Sequence, residues 1–144
     1  MKQQIATQQA PAAIGPYSQA IEANGIVFVS GQLPIDPALS LIHISYATSQ
    51  SVKNALGHLA YVLGGIKELP RQSLTNLRNI LAEAGLTLDN VVKTTVFLAD
   101  MADFADMNSV YAEFFPAPCP ARSAVAVKTL PKNARIEIEC IAVR

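Results

Sequence analysis

The stretch from Arg135 to Val143, RIEIECIAV, alternates apolar and charged side chains with a period of two. Because successive side chains of a β-strand point to opposite faces of a sheet, this pattern predicts a strand with one apolar and one charged face. The apolar face packs against a core, whereas the charged face meets solvent, an ion partner or a ligand. The apolar face holds Ile136, Ile138, Cys140 and Ala142, and the charged face holds Arg135, Glu137 and Glu139.

The remaining segments predict a compact α+β layer fold in one domain of residues 1–144. Residues 25–35 and 91–100 are rich in β-branched side chains and predict two strands, the first with Gly31 where another group approaches closely. Residues 71–84 predict an amphipathic helix with Pro70 at its start and Gly85 at its end, and residues 102–115 predict a second one. Residues 122–130 predict a further strand, which a turn at 131–134 joins to the last strand.

The charge balance argues against several classes of partner. The 144 residues include 11 Lys and Arg against 11 Asp and Glu, and the basic residues do not cluster, so we expect neither a nucleic-acid nor a membrane partner. No apolar run is long enough to span a bilayer and the first residues lack a signal-peptide core, which predicts a cytoplasmic protein. Cys119 and Cys140 are expected to be reduced, buried thiols.

Arg122 stands at the start of an apolar strand, where an uncompensated charge would be costly. Ala124 and Ala126 share its face and leave space beside it. A joined pair of strands would bring Arg122 and Glu137 near one small cavity. Three interpretations remain open: an internal ion pair between these residues, a solvated strand face, or a site in which the arginine binds a small carboxylate and the glutamate holds a water molecule.

Six blocks of the sequence, in order, resemble the Rid family of reactive intermediate deaminases, also called RidA or YjgF. The blocks are GPYSQA (15–20), VSGQLPID (29–36), NLRNILAEAGL (76–86), VVKTTVFLADMADFADMNSVYAEFF (91–115), PARSAV (120–125) and LPKNARIEIECIAV (130–143). The resemblance implies a chorismate mutase-like α+β fold with a mixed β-sheet packed against two helices. It also implies a homotrimer with inward-facing sheets and sites at the subunit interfaces.

The implied activity is hydrolysis of 2-iminobutanoate and 2-iminopropanoate, as imine or enamine, to 2-oxo acids and ammonia, which protects pyridoxal-phosphate enzymes. No cofactor or metal is implied. The resemblance assigns Arg122 to the substrate carboxylate and Glu137 to the attacking water. It assigns substrate binding to Tyr17, to backbone groups near Gly31 and Ala124, and to Asn108, and gives Glu139 a structural role. Two alternatives remain: a non-catalytic small-molecule-binding or protein-protective module, and a ribonuclease.

Residues of about 39–63 depart from the family pattern, because a short loop is expected there and the chain runs roughly twenty residues longer. Residues 52–63 predict a helix ended by Gly64 and Gly65. The insertion is either native or an artefact, since residues 39–44, LSLIHI, match the translated end of a transposon used in library preparation. His43 and His58 have no spacing typical of metal ligands.

Overall fold

The computed structural model describes residues 1–38, 41–42 and 65–144 of the chain. The predicted helix at 52–63 and both histidines lie outside the described residues. Within the described ranges the strands are β1 (Gln3–Ile5), β2 (Ala20–Ala23), β3 (Ile26–Gln32), β4 (Ile35–Asp36), β5 (Leu41–Ile42), β6 (Val91–Leu98), β7 (Ala121–Ala126) and β8 (Ile136–Val143), and the α-helices are α1 (Glu68–Glu83) and α2 (Phe104–Phe114).

Six of these strands form one mixed sheet in the order β1-β2-β3-β8-β6-β7. The pair β6–β7 is parallel, whereas β3–β8 and β6–β8 are antiparallel, so the predicted α+β fold with a mixed sheet is confirmed. Strands β4 and β5 form a separate antiparallel pair. Strand β6 lies between β7 and β8, so the two strands that the turn at 131–134 connects are not neighbours.

The core lies between one face of the sheet and the two helices. The alternating apolar side chains of β8 point into it: Ile136, Ile138, Cys140 and Ala142 are at most 3% exposed. The predicted apolar face of α1 is also confirmed, because Leu74, Leu77 and Leu81 are fully buried. Full burial of each leucine side chain contributes about 1.5–3 kcal/mol, so this interface holds the helix on the sheet.

Helix α1 begins two residues before the predicted start at Pro70. Pro70 still falls in the first turn, where the missing N–H removes no intrahelical hydrogen bond. The helix ends where predicted, since Gly85 follows with a φ of 70°, a conformation that glycine adopts without steric cost. Neither α-helix in the described part of the chain is long and apolar enough to cross a membrane.

The opposite face of the sheet, which we call the open face, carries neither of the two α-helices in the described part of the chain. Ile26, Phe28 and Val125 point to it and are 36%, 47% and 46% exposed. These apolar side chains lie beside Glu137 and Glu139, which the alternation of β8 places on the same face. The predicted division of β8 into an apolar and a charged face is therefore confirmed.

The two cysteines differ in their surroundings. Cys140 is 3% exposed in the core, whereas Cys119 is exposed in the loop between α2 and β7. The expectation that both thiols are buried is wrong for Cys119, because the proline-rich loop around it packs only in part. Burial raises the pKa of the Cys140 thiol to about 12, so this side chain stays protonated and serves as a small core residue.

Candidate active site

Glu137 lies against the backbone of Gly31 on the open face. A Cβ atom at position 31 would lie 1.8 Å from Oε1 of Glu137, so only glycine leaves room for the carboxyl group. The sequence prediction that another group approaches Gly31 closely is therefore confirmed. The close approach depends on a β-bulge between β3 and β8, where three residue steps from Val29 to Gln32 match two steps from Cys140 to Ile138.

The bulge decides which way Gly31 faces. Val27 and Val29 point into the core, and strict alternation would send position 31 there as well. The extra residue of the bulge instead turns Gln32 into the core, where it is 4% exposed, and leaves Gly31 on the open face. A single inserted residue in β3 thereby places glycine beside the glutamate.

A cavity of about 740 Å³ opens in front of Glu137. It contains Tyr17, half of whose side-chain surface is exposed, together with Gly31 and Lys132. The remaining lining residues are Thr7, Gln8, Ala10, Pro11, Ala12, Ile14, Ser30, Gln32, Leu33, Ile35, Pro37 and Pro131. We call this space the glutamate cavity. It brings together three of the predicted site residues, Tyr17, Gly31 and Glu137.

The carboxyl group of Glu137 is a poor acid in this place. Burial raises its pKa above the usual glutamate range, and the neighbouring charge of Glu139 raises it further. A carboxyl group with a raised pKa accepts and returns protons closer to neutral pH than an exposed glutamate does. Glu139 acts here through its charge and forms no ion pair with any described residue, so its predicted role as a structural partner stays a prediction.

The N-terminal wall of the glutamate cavity is held by one buried amide, Gln19, which is 4% exposed. Its Oε1 accepts a hydrogen bond from the backbone N–H of Thr7 at 2.7 Å, and its Nε2 lies 3.0, 3.2 and 2.7 Å from the carbonyl oxygens of Thr7, Ala10 and Pro11. Sequence reasoning missed this residue, although Gln19 belongs to the quoted GPYSQA block. Only its burial, which the sequence does not reveal, distinguishes it from a surface glutamine.

The opposite wall is held by Asn76 of α1, which is fully buried. Its Nδ2 donates to the carbonyl oxygens of Leu33 and Ile35 at 3.1 and 2.9 Å. Gln72, one turn earlier on α1, donates to Oδ1 of Asn76. The loop between β3 and β4 is thus tied to the helix, and its apolar side chains face the glutamate cavity.

Arg122 belongs to a second group of residues, on the helix side of the sheet. The register pairs it with Thr94 of β6, which is fully buried under α2. The guanidinium carbon lies 4.5 Å from the ring centre of Tyr111 and 5.6 Å from that of Phe104. Arg122 makes no ion pair with any described residue. We call Arg122, Thr94, Phe104 and Tyr111 the arginine cluster.

The two groups lie on opposite faces of the sheet. Arg122 is paired with Thr94, Thr94 is paired with Cys140, and Cys140 points into the core. Glu137 is three residues from Cys140 and therefore points the other way. The expectation that the joined strands bring Arg122 and Glu137 to one cavity is wrong within a single chain, because β6 separates the strands. An internal ion pair between them is excluded for the same reason.

Ala124 and Asn108 belong with the arginine cluster and not with the glutamate cavity. Ala124 pairs with Val96, follows Arg122 on the same face and packs against the core. Asn108 is exposed on α2, four residues after Phe104 and three before Tyr111. Helical spacing therefore places it on the side of α2 that carries the two rings.

These observations define the class of protein: a small α+β protein whose open sheet face carries a cavity with the carboxyl group of Glu137 in its lining. A family model described as Endoribonuclease L-PSP matches residues 7–144. The chain belongs to this family, which is the Rid family of RidA and YjgF proteins, as the sequence blocks predicted.

Known proteins similar to this chain support the assignment. A RutC family protein of Pyrococcus horikoshii is 49% identical over 142 residues, covering 99% of this chain and 98% of that protein. The Bos taurus protein named 2-iminobutanoate/2-iminopropanoate deaminase is 44% identical over 140 residues, covering 97% of this chain and 88% of that protein. The crystal structure of E. coli TdcF with bound serine superposes with a TM-score of 0.81 at 39% identity, covering 99% and 98% of the two chains.

Proposed function

We propose that the protein hydrolyses 2-imino acids such as 2-iminobutanoate and 2-iminopropanoate to 2-oxo acids and ammonia, without a cofactor. The observation that carries the proposal is the Glu137 carboxyl group, which faces an open cavity with a pKa raised by burial. The name of the bovine relative supports the choice of substrate. Removal of these reactive species in the cytoplasm would protect pyridoxal-phosphate enzymes.

The proposed reaction adds water to the imine carbon and expels ammonia. Arg122 binds the substrate carboxylate through two parallel N–H···O bonds. Water adds to the protonated imine: Glu137 takes one water proton, the C–O bond forms, and the C=N electron pair moves to nitrogen, which gives a carbinolamine with a neutral amino group. Glu137 then returns that proton to the amino nitrogen. As the C–N bond breaks, Glu137 takes the hydroxyl proton, so that the carbonyl of the 2-oxo acid forms, and it passes this proton to the departing ammonia. The substrate would be surrounded by Tyr17, Asn108 and backbone groups near Gly31 and Ala124.

The reaction requires groups that one chain holds on opposite faces, so we propose that each site forms between two copies. Arg122 of one copy would meet Glu137 of a neighbour in a homotrimer with the open faces turned inward. The exposed Ile26, Phe28 and Val125 on the open face support this arrangement, since association would remove apolar surface from water. No direct contact within the chain has to change for the site to form.

Residues of about 39–63 are proposed to be an insertion into the single Rid domain that takes no part in the reaction. Within this range the structure describes Leu41 and Ile42, which form β5 and pair with β4. Asn76 ties the carbonyl groups of Leu33 and Ile35 to α1 without any residue of this range. A variant without residues 39–63 is expected to keep the deaminase activity. Loss of both trimer and activity in that variant would contradict the proposal.

The activity test couples the purified protein to an amino-acid oxidase that produces 2-iminobutanoate, and follows the decay of the imine. Wild-type protein should accelerate the decay, and Arg122→Ala and Glu137→Gln should each abolish most of the acceleration. Arg71→Ala is the matched control, because Arg71 also lies near an aromatic ring but is already paired with Glu113. A trimer that binds 2-oxobutanoate without accelerating decay would indicate the non-catalytic module instead.

A mixing test separates shared sites from sites within one chain. When Arg122→Ala and Glu137→Gln chains are co-expressed in equal amounts, random assembly gives about one quarter of the interfaces an intact arginine and an intact glutamate. We expect about one quarter of wild-type activity from the mixture, although each variant alone is inactive. Activity no higher than that of the separate variants would show that the two residues do not act across an interface.

A further inference from the structure

The guanidinium of Arg122 rests on aromatic rings and has no carboxylate partner among the described residues. Its central carbon is 4.5 Å from the ring centre of Tyr111 and 5.6 Å from that of Phe104, both within the range of a cation–π contact. A cation–π contact needs no hydrogen-bond acceptor, and no described residue accepts a hydrogen bond from the five N–H donors of this guanidinium. The rings therefore restrict the side chain and leave its hydrogen-bonding edge free for an anion.

The Tyr111 ring is itself held in place from two directions. Its hydroxyl group forms a 2.7 Å hydrogen bond with Oγ1 of Thr94, and its ring centre is 4.6 Å from that of Phe115. Tyr111 is only 5% exposed, and Thr94 is fully buried. Thr94 is also the β6 partner of Arg122. Each of the three residues Arg122, Thr94 and Tyr111 therefore contacts the other two, through strand pairing, a side-chain hydrogen bond and a ring contact.

We propose that Tyr111 is a positioning residue whose ring, anchored by Thr94, orients the Arg122 guanidinium for binding a small carboxylate. The inference deepens the proposed function and rests on it for the identity of the ligand. A pre-oriented arginine loses less side-chain freedom on binding than a mobile one, so the ring increases affinity without touching the ligand.

The surroundings of Tyr111 keep its phenol group uncharged. Burial raises the pKa of its hydroxyl group, so the phenol stays protonated and offers no competing negative charge to the guanidinium. Arg71 provides the contrast within the same protein. Its guanidinium lies 6.0 Å from the ring centre of Phe114, but two of its nitrogens donate to the Glu113 carboxylate at 2.8 and 3.0 Å. The guanidinium of Arg71 is paired with Glu113, whereas that of Arg122 contacts two rings and has no hydrogen-bond acceptor among the described residues.

The first test measures the orientation of Arg122 without any ligand. In the NMR spectrum of the wild-type protein, ring currents should shift the Arg122 side-chain protons upfield, and relaxation of its Nε–H should report an ordered group. Tyr111→Leu should remove the shift and the order, whereas Tyr111→Phe should keep the shift because it retains the ring and should reduce the order because it lacks the hydrogen bond to Thr94. Phe114→Leu is the matched control on the same helix, since Phe114 lies near Arg71. Should Tyr111→Leu fail to fold, Phe104→Leu provides a milder change that should reduce the shift.

The second test measures binding of 2-oxobutanoate by calorimetry. Loss of the Tyr111 ring should weaken binding by roughly 2- to 30-fold, the range of a cation–π contact from exposed to desolvated sites. In an Arg122→Ala background the same change should have no further effect, because the ring acts through the arginine. Equal losses in Tyr111→Phe and Tyr111→Leu, or unchanged NMR signals of Arg122 in Tyr111→Leu, would overturn the inference. Absence of binding by wild-type protein with normal NMR behaviour would instead count against the proposed function alone.

Discussion

Replacement of Gly31 by alanine should displace the Glu137 carboxyl group while leaving the fold intact. The new Cβ would lie 1.8 Å from Oε1, 2.7 Å from Cδ and 2.9 Å from Cγ of Glu137. An ordinary contact begins at 3.4 Å, so Oε1 has to move by about 1.6 Å. The cavity gives the side chain room to do so, and the backbone of β3 need not shift.

The cost in stability should be small and the cost in activity large. An off-rotamer glutamate costs about 0.5–1.5 kcal/mol, while alanine in place of glycine lowers the entropy of the unfolded chain and returns about 0.4–1 kcal/mol. The free energy of unfolding should therefore change by less than about 1 kcal/mol. A catalytic group displaced by more than 1 Å loses roughly a hundredfold in rate, which sets the expected fall in kcat.

The assay compares imine decay and chemical unfolding of the Gly31→Ala variant with those of wild type. Gly15→Ala is the matched control, because its added Cβ would meet the nearest described atom at an ordinary 3.6 Å. The same change is then made in a Glu137→Gln background, where the displaced group is already inactive. A further large loss of kcat in that background would refute the reasoning, since Gly31→Ala would then act on something other than Glu137.

Three further changes test the charges and walls of the site. Glu137→Gln should stabilise the protein at about pH 8, because burial and Glu139 raise the pKa of Glu137 in the folded state and its carboxylate destabilises the fold above that pKa. The gain in stability should shrink as the pH falls toward about 4, where the carboxyl group is protonated, and urea unfolding at both pH values measures it. Asp103→Ala should lower the free energy of unfolding by about 3 kcal/mol, because Asp103 is 7% exposed and accepts from Nε of Arg135 at 2.9 Å; a loss below about 1 kcal/mol would show that solvent compensates. Gln19→Ala should lower the free energy of unfolding by about 2–4 kcal/mol and speed proteolysis within residues 1–12. An unchanged rate of cleavage would show that the N-terminal wall of the cavity does not depend on Gln19.

Local patterns in the sequence predicted most of the elements and the faces that they bury. Alternation in 135–143 and helical spacing in 71–84 are strong signals, because each follows from the geometry of one element and its contact with one core. The close approach at Gly31 was predictable in kind, since an isolated glycine in a strand leaves space for a neighbour. Which neighbour fills that space was not, because Glu137 is more than one hundred residues away in the chain.

The order of strands was beyond these patterns. A period of two assigns each side chain to a face, but it does not say which strands are adjacent, and β6 separates two strands that follow each other in the chain. Strands β1 and β2 were also missed. They are three and four residues long, and no run of β-branched residues marks them. The walls of the glutamate cavity depend on buried amides such as Gln19, whose burial only the folded chain defines.

The register of β7 keeps Arg122 and Glu137 apart and is fixed from both faces of the sheet. On the helix side, Arg122 lies over the ring that Thr94 anchors; on the open face, Nζ of Lys93 lies 2.7 Å from Oγ of Ser123. A one-residue slip would bring Arg122 to the open face, but it would also break both contacts and turn Ser123 toward the core. A single chain therefore cannot easily unite the two groups by rearranging an edge strand. The proposed site between two copies would leave every strand in place.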